Sequence, residues 1–245
     1  MPPQPSAFTV PYDDPLTARP PASSARRCGG NATLDRPPIV PAMDELELLD
    51  WKRRVFAIYA AVRAEASPER AAARWRAARD ELFAEHPQSP LAPARRADFR
   101  GLPYFPFDPA ARVIATVVPA QRRRLEVGAS TGEPMAFVRF GLARFELAGA
   151  ACQLELYWLD AYGSGLFVPF ADATSGHETY GGGRYLLDTV KGADLGGAEG
   201  KLVLDFNLAY NPSCAYDPRW ACPLTPPANR LHVPVPAGER HAERA

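Results

Sequence analysis

Cysteine is sparse. Cys28, Cys152, Cys214 and Cys222 are the four in 245 residues, too few and too scattered for a disulfide framework, so reduced thiols and a cytoplasmic location are expected. No stretch approaches the roughly 20 apolar residues that cross a bilayer. The opening "MPPQPSAFTVPYDDPLTARPP" has neither a charged start nor an apolar run, so no secretory signal and no membrane partner are expected. Lysine is scarce too, at Lys52, Lys191 and Lys201 among 28 cations, and the 28 acids cancel them to a net charge of zero. A balanced chain has no global field to gather polyanions, so no nucleic-acid partner is expected. The one basic cluster, "RRRLEV" at Arg122 to Val127, is short enough to be the solvated face of a strand.

What the chain has in excess is proline, 27 residues of it, ten before Met43 and seven between Pro212 and Pro236. The first group sits in a Pro/Ser/Ala/Arg segment without hydrophobic periodicity, which predicts a disordered tail over Met1 to about Val40. The lone thiol Cys28 in "RRCGG" falls within it. From there to about residue 240 a single domain is expected, with a short tail over 241–245. In "AMDELELLDWKRRVFAIYAAVRAE", Leu48, Trp51, Val55, Ile58 and Val62 share one helical face. "SPERAAARWRAARDELFAEHP" supplies Ser67 as N-cap, Pro68 at the first helical position, a stripe of Trp75, Ala78 and Leu82, and Pro87 as the stop. A helical hairpin over 41–87 follows.

Beyond Ala111 the apolar period falls to two. "RVIATVV", "RRRLEV", "MAFVRFG", "LARFELAG", "CQLELYWLD", "GLFVPF", "GRYLLDTV", "KLVLDFN" and "LHVPV" are short runs parted by turn residues. They predict a mainly β fold of the α+β kind over 99–240, an antiparallel barrel or sandwich of about eight to nine strands, with the hairpin packed on it.

Two segments carry more polar chemistry than turns require. "ADATSGHETYGG" puts twelve residues where a hairpin uses two to five. Its glycines and the Glu178, Tyr180, Arg184 and Tyr185 side chains suit a loop that closes over a ligand, or one closed on itself by Asp172 and Thr174. It lacks the lysine and the following helix of a phosphate-binding P-loop. In "KLVLDFNLA", alternation sends Leu202, Leu204, Phe206 and Leu208 one way, and Val203, Asp205 and Asn207 the other. Asp and Asn are poor strand formers, so they cap a neighbouring loop or line a polar pocket. Next, "AYNPSCAYDPRWACPLTPPAN" leaves regular structure as a proline-stiffened strap. Its Tyr210, Tyr216 and Trp220 rings are expected to pack on the sheet with their polar tips hydrogen-bonded.

Cys214 and Cys222 in the strap are spaced too widely for a structural zinc site on their own, and a metal would need two of Cys152, His177 and His232. A disulfide across the strap, inert buried thiols, and a Cys214 nucleophile with His177 as base are the other possibilities. No cofactor motif is present.

"HPQSPL", "FRGLPYFPFDPAAR", "LFVPFADATSGHETYGGGRYL" and "LDFNLAYNPSCAYDPRWACPLTPPANRL" together resemble an uncharacterised prokaryotic family, domain of unknown function 1684, over about Leu46 to Glu239. The resemblance implies a shared architecture, with motif positions at Glu178, Tyr180, Gly182, Arg184, Tyr185, Asp205, Asn207, Tyr210, Asn211, Cys214, Tyr216, Cys222 and Asn229. It implies no activity, substrate or cofactor. Some relatives carry export signals, and this sequence shows none.

Two functions fit. One is a small-molecule site, binding or hydrolase-like, where the "ETYGGGRY" loop meets the "DFNLAYNPSCAY" strap. There Glu178 or Asp205 would act as acid or base, and Arg184 would hold an anionic or carbonyl group. Tyr180, Tyr185, Asn207, Tyr210, Asn211 and Asn229 would orient the ligand. The other is a non-catalytic structural or interaction module in which these residues satisfy one another, Arg184 pairing with Glu178 or Asp205. Oligomeric state has no signal in the sequence.

Overall fold

Charge sets the ends of the first helix. The computed structural model describes residues 44–241, and α1, Asp44–Ala64, carries Asp44, Glu45 and Glu47 in its first turn and Arg63 in its last, as the helix dipole favours. The proposed tail over Met1 to Val40, with Cys28, lies outside the described residues. In α1, Tyr59 and Val62 are buried, and Val55 and Ile58 pack against the same core. Leu48, expected on this stripe, is instead 46% exposed. The start of α1 lies beside the end of its partner, where Glu47 accepts from the Gln88 amide and Asp50 meets His86.

The partner α2, Pro68–Glu85, begins as its sequence dictates: Ser67 Oγ accepts from the Arg70 N–H and Pro68 needs no hydrogen bond. Trp75 and Leu82 are buried, and the helix stops before Pro87 with His86 as its C-cap. A single turn, α3 at Pro93–Arg96, follows.

The rest is one antiparallel sheet. Its strands are β1 (Arg112–Val127), β2 (Met135–Leu147), β3 (Ala150–Leu159), β4 (Leu166–Phe170), β5 (Arg184–Asp188), β6 (Gly197–Ala198) and β7 (Lys201–Asp205), in the order β5-β4-β3-β2-β1-β7-β6. The protein is thus mainly antiparallel β with an N-terminal helical pair, and the sheet is not closed. Among the described residues seven strands replace the nine apolar runs, for identifiable reasons. "RVIATVV" and "RRRLEV" fuse into β1 because a register shift between Pro119 and Arg123 carries the strand past the proline. "MAFVRFG" and "LARFELAG" fuse into β2 in the same way, around Arg139 and Gly141. "LHVPV" is no strand, since Pro234 and Pro236 cannot donate to a ladder. The two-residue β6 brings the total to seven.

The helices cover one face. Tyr59, Ala72 and Trp75 join Ala115, Ala143, Leu154, Leu156, Val168, Phe170, Leu187, Leu204 and Phe206 in the main core. A smaller cluster of Val127, Phe137, Tyr157, Phe167 and Tyr185 forms elsewhere in the sheet. Among the described residues no helix is long and apolar enough to cross a membrane.

Candidate functional site

β7 ends where Asp205 turns its carboxylate on its own backbone. Oδ1 accepts from the Asn207 N–H at 3.0 Å and Oδ2 pairs with Arg112 at 2.9 Å, and Phe206–Leu208 form a single 3-10 turn. The expected alternation through Leu208 therefore fails, and residues 204 to 209 are all buried. Asn207 spends its side-chain amide on the backbone of Asp108, donating to the carbonyl at 2.7 Å and accepting from the N–H at 2.9 Å. These two residues pin the entry to β1 onto the exit of β7.

Arg184 is 1% exposed, and burial, its largest influence, pushes its pKa down to about 10. It meets neither Glu178 nor Asp205. Its guanidinium donates to the carbonyls of Val235, Ala237 and Glu239 and faces Asp172 at 3.6 Å. Register explains the choice of acid: Arg184 pairs with Phe170, so Asp172, two residues on, comes up beside it. Asp172 also accepts from Thr174 and from the Val235 N–H, so the loop is closed by its own Asp172 and Thr174. Glu178 and His177 are exposed.

The remaining motif residues bind backbone too. Tyr185 and Tyr210 exchange both N–H···O=C bonds, which covers the outer edge of β5, and the Tyr185 hydroxyl donates to the Pro223 carbonyl. Asn211 accepts at no side-chain oxygen but donates Nδ2 to the Arg240 carbonyl, and its N–H goes to Glu239. Asn229 stands in for a missing ladder rung. β3 and β4 pair at Tyr157 and Phe167, so Glu155 would next face Pro169, which has no N–H. The Asn229 amide takes that place, accepting from the Glu155 N–H and donating to the carbonyls of Glu155 and Pro169. Tyr216 donates to the buried Glu239 carboxylate, whereas the Trp220 indole N–H, expected to find a partner, is buried without one.

One group of motif residues is left over. The strap runs beside the end of β1, with Ser130 N–H donating to the Cys222 carbonyl and Leu224 N–H to that of Gly128. It then crosses to the glycine loop, where Thr225 N–H donates to the Gly182 carbonyl. Gly183 makes that approach possible. It has a φ of 90°, and a Cβ there would lie 2.7 Å from the Phe170 carbonyl and closer still to Thr225. Between loop and strap opens a cleft of about 400 Å³, lined by Thr179, Tyr180 and Gly181 on one wall and Cys214 to Pro218 on the other. His241 stacks on the Tyr180 ring, with centroids 5.7 Å apart.

Inside the cleft the Tyr180 hydroxyl lies 3.6 Å from Cys214 Sγ. The buried Cys222 thiol is the largest influence on Cys214 and favours its ionised form. Partial burial opposes ionisation, but the Tyr180 and Ser130 hydroxyls add to that influence, and the Cys214 thiol falls to about 6. The Ser130 hydroxyl has one proton and is within reach of both Cys214 and the Trp220 carbonyl. Both neighbours respond in kind. Cys222 is raised, first by Cys214 and then by burial, and Tyr180 is raised by burial first and by Cys214 next. One negative charge on Cys214, held by protonated neighbours, is the state this arrangement favours.

Cys152, Cys214 and Cys222 are free thiols, and the described residues contain no cluster of three or more His, Cys, Asp or Glu fit to hold a metal ion. Residues 97–240 match the family described as "Protein of unknown function (DUF1684)". The chain belongs to that family. A solved relative, the solution NMR structure of the uncharacterized protein from gene locus rrnAC0354 of Haloarcula marismortui, is 38% identical over 67% of this chain and 89% of that one, with a TM-score of 0.51. No curated protein matches the chain.

Several residues that build the site carried no sequence signal. Asp172 was visible only as a loop cap, and Glu239 and His241 sit in "PAGERH", which has no periodicity. Ser130 lies in the turn between β1 and β2 and reaches the thiols only through the fold.

Proposed function

We propose that this DUF1684 protein binds a small polar molecule in the cleft between the glycine loop and the strap, with Cys214 as the group that reacts with it. The observation that carries this is the Tyr180 hydroxyl directed at the Cys214 sulfur inside an open cleft. A volume of about 400 Å³ falls in the usual range of small-molecule sites, ~300 to 1,000 Å³. With a pKa of about 6, roughly nine-tenths of Cys214 is thiolate at neutral pH, the form that attacks electrophilic carbon, sulfur or oxygen. Tyr180 both steadies the thiolate and offers a proton to a leaving group. Glu178 and Asp205, the acid–base candidates of the sequence, have no part here, since neither lines the cleft.

A second reading, a structural module without a ligand, is favoured by the internal bonding of Arg184, Asp205, Asn207 and Asn229. The two separate on Cys214. Iodoacetamide labelling followed by peptide mapping should show Cys214 reacting with a rate midpoint near pH 6, and Tyr180→Phe should move that midpoint upward by removing a donor to the thiolate. Labelling that rises only near pH 9, as for an ordinary thiol, would favour the structural module.

A further inference from the structure

Resting on that reading of the cleft, we propose that Cys214 and Cys222 form a redox-active dithiol that reduces small hydroperoxides, Cys214 as the attacking sulfur and Cys222 as the resolving one. A peroxide site of this kind needs an accessible thiolate and a second thiol within reach of the first. Cys214 lines the cleft and is only partly buried, and Cys222 is 2% exposed, with the two thiols acting directly on each other's ionisation. A peroxide can therefore meet Cys214 but not Cys222. The oxygen-bearing product would form with the second thiol already beside it.

The electron count closes with an external thiol as reductant. The Cys214 thiolate attacks one peroxide oxygen and the O–O bond breaks. The sulfur becomes a sulfenic acid, and the departing alkoxide or hydroxide leaves as alcohol or water, with Tyr180 placed to supply a proton. Cys222 then attacks the sulfenic sulfur. The S–S bond forms, the S–O bond breaks, and the hydroxide leaves as water with the Cys222 proton. The peroxide has gained two electrons and the two cysteines have lost two. A dithiol, or two equivalents of a monothiol, restores them and is itself oxidised to a disulfide.

The coupling between the sulfurs also sets the order of events. While Cys214 is anionic, its charge beside Cys222 keeps the second thiol protonated and inert. Oxidation of Cys214 to the neutral sulfenic acid removes that charge. Cys222 becomes easier to ionise only once there is something for it to attack.

The test uses the full chain, reduced and then exposed to one equivalent of hydrogen peroxide, with peptide mapping by mass spectrometry. The expected product is a Cys214–Cys222 disulfide, two hydrogens lighter than the dithiol. Cys222→Ser should stop at a sulfenic acid on Cys214 that dimedone traps, and Cys214→Ser should leave Cys222 reduced. With dithiothreitol as reductant, the wild type should consume hydrogen peroxide over many turnovers, and Cys214→Ser should fall to the rate of dithiothreitol alone. Thermal melts of both variants, each changed by one atom, check that they are folded. If Cys214 alkylates with its midpoint near pH 6 but peroxide yields only sulfinic acid, or a disulfide to another cysteine, the dithiol proposal is overturned and the site reading stands. If the alkylation midpoint is that of an ordinary thiol, both fall.

Discussion

Glu239 is fully buried and accepts from three donors: Arg79 at 2.9 Å, the Asn211 N–H at 3.0 Å and the Tyr216 hydroxyl. Burial is nonetheless its largest influence and holds the carboxyl above its usual 4.5. A carboxyl whose folded pKa lies above the unfolded one stabilises most below about 4.5, and that contribution is lost as pH rises through the folded value. Arg79, packed against the rings of Trp75, Phe83 and Tyr210, limits the rise. Arg79→Ala should therefore cost about 3 to 5 kcal/mol at neutral pH by leaving the acid unpaired. Its stability should also keep declining over a wider span above pH 4.5 than the wild type's. Adding Glu239→Gln should flatten that decline. Urea unfolding between pH 4.5 and 8 measures both, and a pH profile in Arg79→Ala parallel to the wild type would contradict the pairing.

At the scale of elements, the β5 edge, the glycine loop and the strap are joined by side chains that bind backbone. Arg184 is the clearest case, one planar fork reaching three carbonyls of the Val235–Glu239 segment. Arg184→Ala should lower stability by about 3 to 5 kcal/mol because Asp172 loses its cation, while Arg184→Lys should recover only part, an ammonium lacking the fork. In whatever fraction stays folded, Cys214 should keep its alkylation midpoint, since Arg184 does not touch the cleft; a shifted midpoint would show the two are linked. Much of this level was legible in the sequence. The hairpin followed from Ser67, Pro68 and the Trp75 and Leu82 stripe, and the meeting of loop and strap from their polar density. The partner of each polar residue was not legible. Arg184 met Asp172 and not Asp205 because strand register decides which acid is adjacent, and register is a property of the assembled sheet. Asn229 repairs a rung that only the β3–β4 pairing reveals to be missing. Cys214 and Cys222 could be marked as unexplained, but the Tyr180 and Ser130 hydroxyls that add to their mutual influence come from segments remote in sequence, the glycine loop and the turn between β1 and β2.

Across the whole molecule, the Val235–Arg240 segment ties the pieces together. Glu239 reaches the helical pair through Arg79 and the strap through Asn211 and Tyr216, while the neighbouring carbonyls reach the sheet through Arg184. The Glu239 and Arg240 N–H groups bond the carbonyls of Ala209 and Pro103. Removing the chain from Gly238 onward should abolish a cooperative melting transition. Removing it from His241 onward should preserve the transition, since among the described residues that cut takes away the stack on Tyr180 and one backbone bond, from the His241 N–H to the Glu178 carbonyl. Differential scanning calorimetry distinguishes the two, and a sharp transition in the shorter chain would show that the segment is dispensable. There is also a consequence for synthesis. The carbonyls that receive Arg184 lie 51 to 55 residues after it. At about 5 to 20 residues per second, a nascent chain waits roughly 3 to 10 s between making this cation and making its acceptors. Through that interval β5 cannot be sealed, and a ribosome-bound chaperone has its opportunity.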